Sequence, residues 1–158
     1  MIENYLNILE DSLKKKIDVL NRIQEVNEVQ TDILKREPAD LEAFDQTVDE
    51  KDLYVNELTK LDDGFEALYD KIKQELVGNK QKYADQIRRL QELITQITDR
   101  SVAIQAQEER NKALVEDCFR KERQQLGQSR RNSKAAYGYY QNMNNKNVSQ
   151  PHFMDQKK

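Results

Sequence analysis

The chain has 158 residues, of which 35% are charged and 37% aliphatic or aromatic, with 4 glycines, 2 prolines and no tryptophan. So few turn-forming residues exclude a compact α/β enzyme and point to one domain of long, uninterrupted helices. The net charge of −3 divides unevenly: residues 127–158 carry six Lys or Arg against Asp155, a balance of +5, which leaves −8 on the first 126 residues and gives no general ground for a nucleic-acid partner.

The first segment places Ile2, Leu6, Leu9, Leu13, Ile17, Leu20 and Ile23 at steps of three and four, an apolar stripe along one helical face. The same segment mixes Ile2, Leu6 and Leu9 with Glu3, Glu10 and Asp11, which is unlike a signal peptide. The stripe weakens at Asn27 and Gln30. Pro38 lacks a backbone donor and restricts Glu37, so the helix should end near Lys35 or Arg36. Pro38-Ala39-Asp40 then opens a second helix, with proline in the first turn and Asp40 and Glu42 favouring the positive end of the dipole.

A strict heptad frame runs from Leu41 to Leu76, with apolar residues at nine of its eleven positions and Lys51 and Asp62 as the exceptions. Asp62-Asp63-Gly64 is a soft spot where the helix could kink. Gly78-Asn79 is a C-terminal cap signal, and so short a connection predicts a third helix folded back antiparallel, with a bend in one continuous helix as the alternative. The third helix carries Tyr83, Ile87, Leu90, Ile94, Ile97, Ile104, Val115 and Cys118 in one frame, interrupted by Ser101, Glu108 and Asn111. The expectation is an all-α antiparallel bundle or coiled coil of three long helices, about 1–36, 39–77 and 79–126. A basic, aromatic-containing flexible tail over 127–158 follows it.

At those lengths the third helix outreaches the other two. Its far end, Leu114, Val115, Cys118, Phe119 and Leu126, is then left without an internal partner, and an unpaired apolar stripe invites a partner helix. The tail is rich in Gln, Ser, Asn and Lys, yet holds Tyr137, Tyr139, Tyr140 and Met143, then Phe153 and Met154. Spaced hydrophobic anchors in a polar segment resemble a sequence that orders on binding. These eleven residues are the candidate partner-binding set.

No catalytic constellation accompanies them. The single His152 lies in the tail beside Pro151, no glycine-rich phosphate loop occurs, and the carboxylates read as solvated helix surface. The expectation is a non-enzyme with no cofactor and no metal. One cysteine excludes an internal disulfide or a cysteine-based metal site, and Cys118 reads as a packing residue. Asn27, Gln30, Lys51, Asp62, Glu108 and Asn111 either form a polar layer that sets helix register or face water. Arg120, Lys121, Arg123, Arg130, Arg131 and Lys134 form a basic stretch that follows the coils instead of preceding them. It reads as charge suited to a helix C-terminus or to an acidic protein, not to nucleic acid. No apolar run approaches the ~20 residues of a membrane span, so no membrane insertion is expected and a cytoplasmic location is.

Several stretches are similar to the FlgN-type flagellar export chaperones: residues 40–44 (Asp-Leu-Glu-Ala-Phe), 60–69 around Leu61-Asp62-Asp63-Gly64-Phe65, and 104–112 from Ile104 to Lys112. The tail, with Ala136-Tyr137-Gly138-Tyr139-Tyr140 and Phe153-Met154-Asp155, resembles versions found in clostridia-like bacteria. The resemblance implies a chaperone that keeps hook-associated flagellar proteins soluble and hands them to the export gate of the flagellar secretion apparatus, using its C-terminal region. The tail departs from an amphipathic docking helix in being poor in aliphatics. The competing reading is a structural coiled-coil stalk or adaptor of the export machinery or another assembly. A homodimer through the last apolar stripe also stays open.

Overall fold

The structure, a computed structural model, describes residues 2–125. Helix α1 (Ile2–Lys35) buries the stripe of Leu6, Leu9, Leu13, Leu20 and Ile23. It stops where Pro38 requires, and Arg36 N–H closes the last turn on the Ile33 carbonyl at 3.2 Å. Helix α2 (Leu41–Gly78) starts later than expected. Pro38 lies outside its first turn, and the cap is Asp40, whose backbone is extended and whose carboxylate accepts the Ala43 N–H at 3.1 Å. A capping side chain satisfies a donor that the helix itself cannot. Asp40→Ala should therefore cost about 1 kcal/mol in urea unfolding, while Asp40→Asn should be close to neutral.

Asp62-Asp63-Gly64 does not break α2, which runs through it as one helix. Asp62 instead accepts from the buried Lys16 ammonium at 2.6 Å. Asn79 caps the C-terminus, its N–H donating to the Leu76 carbonyl at 3.1 Å. Residues 79–83 form a turn, so α3 (Ala84–Gln125) begins five residues after the position expected from the Gly78-Asn79 signal.

Cross-helix bonds give the topology. Asn27 with Gln107 and Thr31 with Asn111 are each 80 residues apart, so α1 and α3 run parallel. From Lys16–Asp62 to Asn27–Lys51 to Gln30–Thr47 the separation falls from 46 to 24 to 17, so α1 and α2 run antiparallel. The fold is an all-α three-helix bundle in which α1 packs on both of the others.

Its apolar interior falls into two parts. The larger joins α1 from Leu6 to Ile23, α2 from Leu58 to Leu76 and α3 from Leu90 to Ile104. The smaller has Ile33, Leu34, Phe44 and Val115 at its centre. Among the described residues no helix is long and apolar enough to cross a membrane.

Candidate partner-binding site

Between the two apolar clusters lies a layer of polar side chains, with Asn27, Gln30, Lys51, Glu108 and Asn111, which interrupt the heptad frames, at its centre. Lys51 of α2 is fully buried. Its ammonium donates to Glu108 Oε1 at 2.7 Å, Asn27 Oδ1 at 2.7 Å and Gln30 Oε1 at 3.0 Å, which uses all three of its hydrogens. Asn27 Nδ2 donates onward to Gln107 Oε1, and Asn111 Nδ2 to the Asn27 carbonyl. Thr31 donates to Asn111 Oδ1, while Gln30 Nε2 donates to Thr47. Of the two readings open for the six interrupting residues, the register layer is the one that forms. Asp62 joins it only in kind, through its separate pair with Lys16.

The layer is not fully satisfied. Glu108 Oε2 is buried with no hydrogen-bond donor among the described residues. Burial outweighs the attraction of Glu108 and holds the Lys51 ammonium below the usual lysine range. The layer thus separates the two apolar clusters at a free-energy cost, in return for a fixed register.

Beyond it lies the end of the bundle where α1 finishes, α2 begins and α3 runs out toward the tail. Here the expected overhang is corrected. Val115 is buried against Ile33, Leu34 and Phe44, and Leu114, Cys118 and Phe119 are half-buried against the same cluster. The reason is the late start of α3: with its first turn opposite the start of α1, residue 118 arrives beside Leu34, whose carbonyl is 3.9 Å from Cys118 Sγ. Even the linker is engaged, since the Lys121 ammonium donates to Glu37 at 2.7 Å.

Among the described residues, the apolar surface that this end presents outward is therefore the exposed part of Leu114, Cys118 and Phe119. Leu126, Tyr137, Tyr139, Tyr140, Met143, Phe153 and Met154 lie outside the described residues, as do Arg130, Arg131 and Lys134. Burial pushes the Cys118 thiol up, so it is a packing residue and not a reactive thiolate. Arg120 pairs with Asp117 on its own helix. Among the described residues no group of three His, Cys, Asp or Glu is placed to hold a metal ion. Sequence reading missed Lys16, Thr31, Thr47 and Gln107 as interior polar partners. Lys16 had a signal, because the strict heptad continuing from Leu9 and Leu13 falls on it and not on Ile17.

Among the described residues the fold is thus a three-helix bundle whose polar layer divides a large apolar cluster from a small one at the end where α1 finishes. The family model of the FlgN protein matches residues 1–145, and the chain belongs to that family, whose members are flagellar export chaperones acting in flagellum biogenesis. No curated protein and no solved structure matches it.

Proposed function

We propose that this chain is a cytoplasmic chaperone for hook-associated flagellar proteins and delivers them to the export gate. The observation that carries this reading is the family match over residues 1–145, which takes in the small apolar end of the bundle and the Tyr137, Tyr139, Tyr140 and Met143 cluster. An unsecreted client exposes an apolar helical stripe that would otherwise aggregate. Leu114, Cys118 and Phe119 offer it a matching edge, Val115 supports them from beneath, and Leu126 with the tail anchors adds contacts further along the chain. Phe153 and Met154 lie beyond the matched region and serve as the outermost anchors.

Release at the gate requires only moderate affinity, on the order of micromolar or about −8 kcal/mol. A segment that orders on binding supplies contact while its entropic cost keeps the complex reversible. The test is a binding titration of a hook-associated protein against the full chain and against a chain lacking residues 127–158. Truncation should weaken the complex at least tenfold, and equal affinity of the two chains would overturn this placement of the site.

A further inference from the structure

Helices α2 and α3 each pack on α1 but make no close backbone approach to one another. Helices in full ridge-into-groove contact lie about 8–10 Å apart, so the α2–α3 seam on the side away from α1 is incompletely closed. At the level of the polar layer the Lys51–Glu108 pair spans the seam. Toward the 79–83 turn the seam holds a half-open groove of about 310 Å³. Tyr69, Leu76 and Ile87 line it, and these same side chains belong to the main core on their other side. Val77 and Ala84 supply exposed apolar surface, with Val77 50% exposed.

Charge makes the groove distinct. Lys80 and Arg88 stand among its lining residues. From Lys71 to Arg89 the chain carries six Lys or Arg against Glu75 and Asp85, and with the carboxylates of Asp70 and Glu10 that pair Lys73 and Arg89 the local balance is +2 in a chain whose total is −3. Arg88 is held only loosely: it meets Asp85 at 3.5 Å, with both side chains largely in solvent. Such a pair is easily exchanged for another carboxylate.

The shape argues against a small molecule. A ligand cleft brings together several enclosed, convergent polar groups, whereas this groove is an apolar trough with its cations on long, solvated stems. It suits a helix laid along the seam, with α2 and α3 as its two neighbours, just as they are for α1 on the opposite side. A face-to-face dimer of the grooves is disfavoured, because two-fold symmetry would set the two cationic rims against each other.

We propose that this groove is a second docking surface, for an acidic amphipathic helix of another protein. An apolar ridge of that helix covers Val77 and Ala84, and its flanking carboxylates reach Lys80 and Arg88. The surface lies at the opposite end of α3 from Phe119, roughly 50 Å away at ~1.5 Å per residue, and does not depend on the client site proposed above.

The test uses the full chain, isotopically labelled for amide NMR, and a synthetic amphipathic helix of leucines and glutamates. A second peptide carries lysine in place of every glutamate. The acidic peptide should shift amides on both sides of the 79–83 turn and leave residues 111–125 unmoved. Val77→Asp and the pair Lys80→Glu with Arg88→Glu should each weaken it at least tenfold, with helix content unchanged by circular dichroism because all three side chains are exposed. Removal of residues 127–158 should leave this titration unchanged, whatever it does to client binding. Equal binding of the lysine peptide, shifts confined to the other end, or an unaltered affinity in Val77→Asp would each overturn the proposal. So would self-association through these same amides, which would assign the groove to a second copy of the chain.

Discussion

Lys51→Met should lower the stability of the bundle by about 3–5 kcal/mol, the range for removing one partner of a buried ion pair. The loss comes less from the missing attraction than from what stays behind. Glu108 would keep a buried carboxyl group that has lost its cation and whose Oε2 already has no donor among the described residues, and the side-chain oxygens of Asn27 and Gln30 would each lose a donor. Replacing both charges, Lys51→Met with Glu108→Leu, should recover most of the loss and bring the chain to within reach of the wild type or about 1–4 kcal/mol above it. The pH dependence has the matching sign. Because burial holds the Lys51 ammonium below its unfolded value, the folded state binds this proton less tightly, and the penalty is fully present below the folded pKa. It fades as pH rises from there toward the ordinary lysine value of about 10.4. Urea unfolding should therefore show stability rising between the folded value and the ordinary lysine value, with that part of the slope missing in the double variant. A double variant as unstable as the single one would mean that the apolar pair cannot fill the layer, and the reading of the layer as a register device bought with stability would fail.

That layer also explains how much could be read in advance. The heptad frames of α2 and α3 place Lys51, Glu108 and Asn111 in the seam by spacing alone, and all three are buried there. In α1 the frame through Leu6, Leu9, Leu13, Leu20, Ile23 and Leu34 passes through Lys16, Asn27 and Gln30, again all buried. Following apolar identity from Leu13 to Ile17, instead of the 3.5-residue period, hides Lys16. Whether such residues meet one another or water depends on the alignment between helices, and no single helix contains that information. It follows from the 80-residue offset between α1 and α3, which in turn depends on where α3 starts. Lys80, Gln81 and Lys82 are good helix formers, so nothing local separates the 79–83 turn from the helix after it. That five-residue misplacement is the whole source of the expected overhang at Leu114, Val115, Cys118 and Phe119. The start of α2 falls later than expected for a similar reason: Pro38 and Asp40 are both start signals, and Asp40 prevails because its carboxylate reaches the Ala43 N–H.

Phe44→Ala should remove about 3–5 kcal/mol from the small apolar end, and the polar layer should keep most of that loss local. Phe44 is fully buried against Ile33, Leu34 and Val115, a cluster far smaller than the one on the other side of Lys51. Regions with few buried apolar contacts open first and independently of the rest. Amide hydrogen exchange should accordingly quicken by two to three orders of magnitude over residues 111–125 and in the first turns of α2, taking about 1.4 kcal/mol per factor of ten. Amides from Leu9 to Ile23 should keep nearly wild-type protection. Client binding gives an independent readout. The edge formed by Leu114, Cys118 and Phe119 packs against this cluster, so loosening it means a partner must first order what it binds. Phe44→Ala should then weaken a hook-associated protein severalfold. Leu13→Ala, a comparable truncation in the main core, should leave the affinity near that of the wild type while the chain remains folded. Exchange that rises evenly along all three helices would show that the two apolar clusters unfold as one unit, and would remove the physical basis for treating this end of the bundle as a separate docking element.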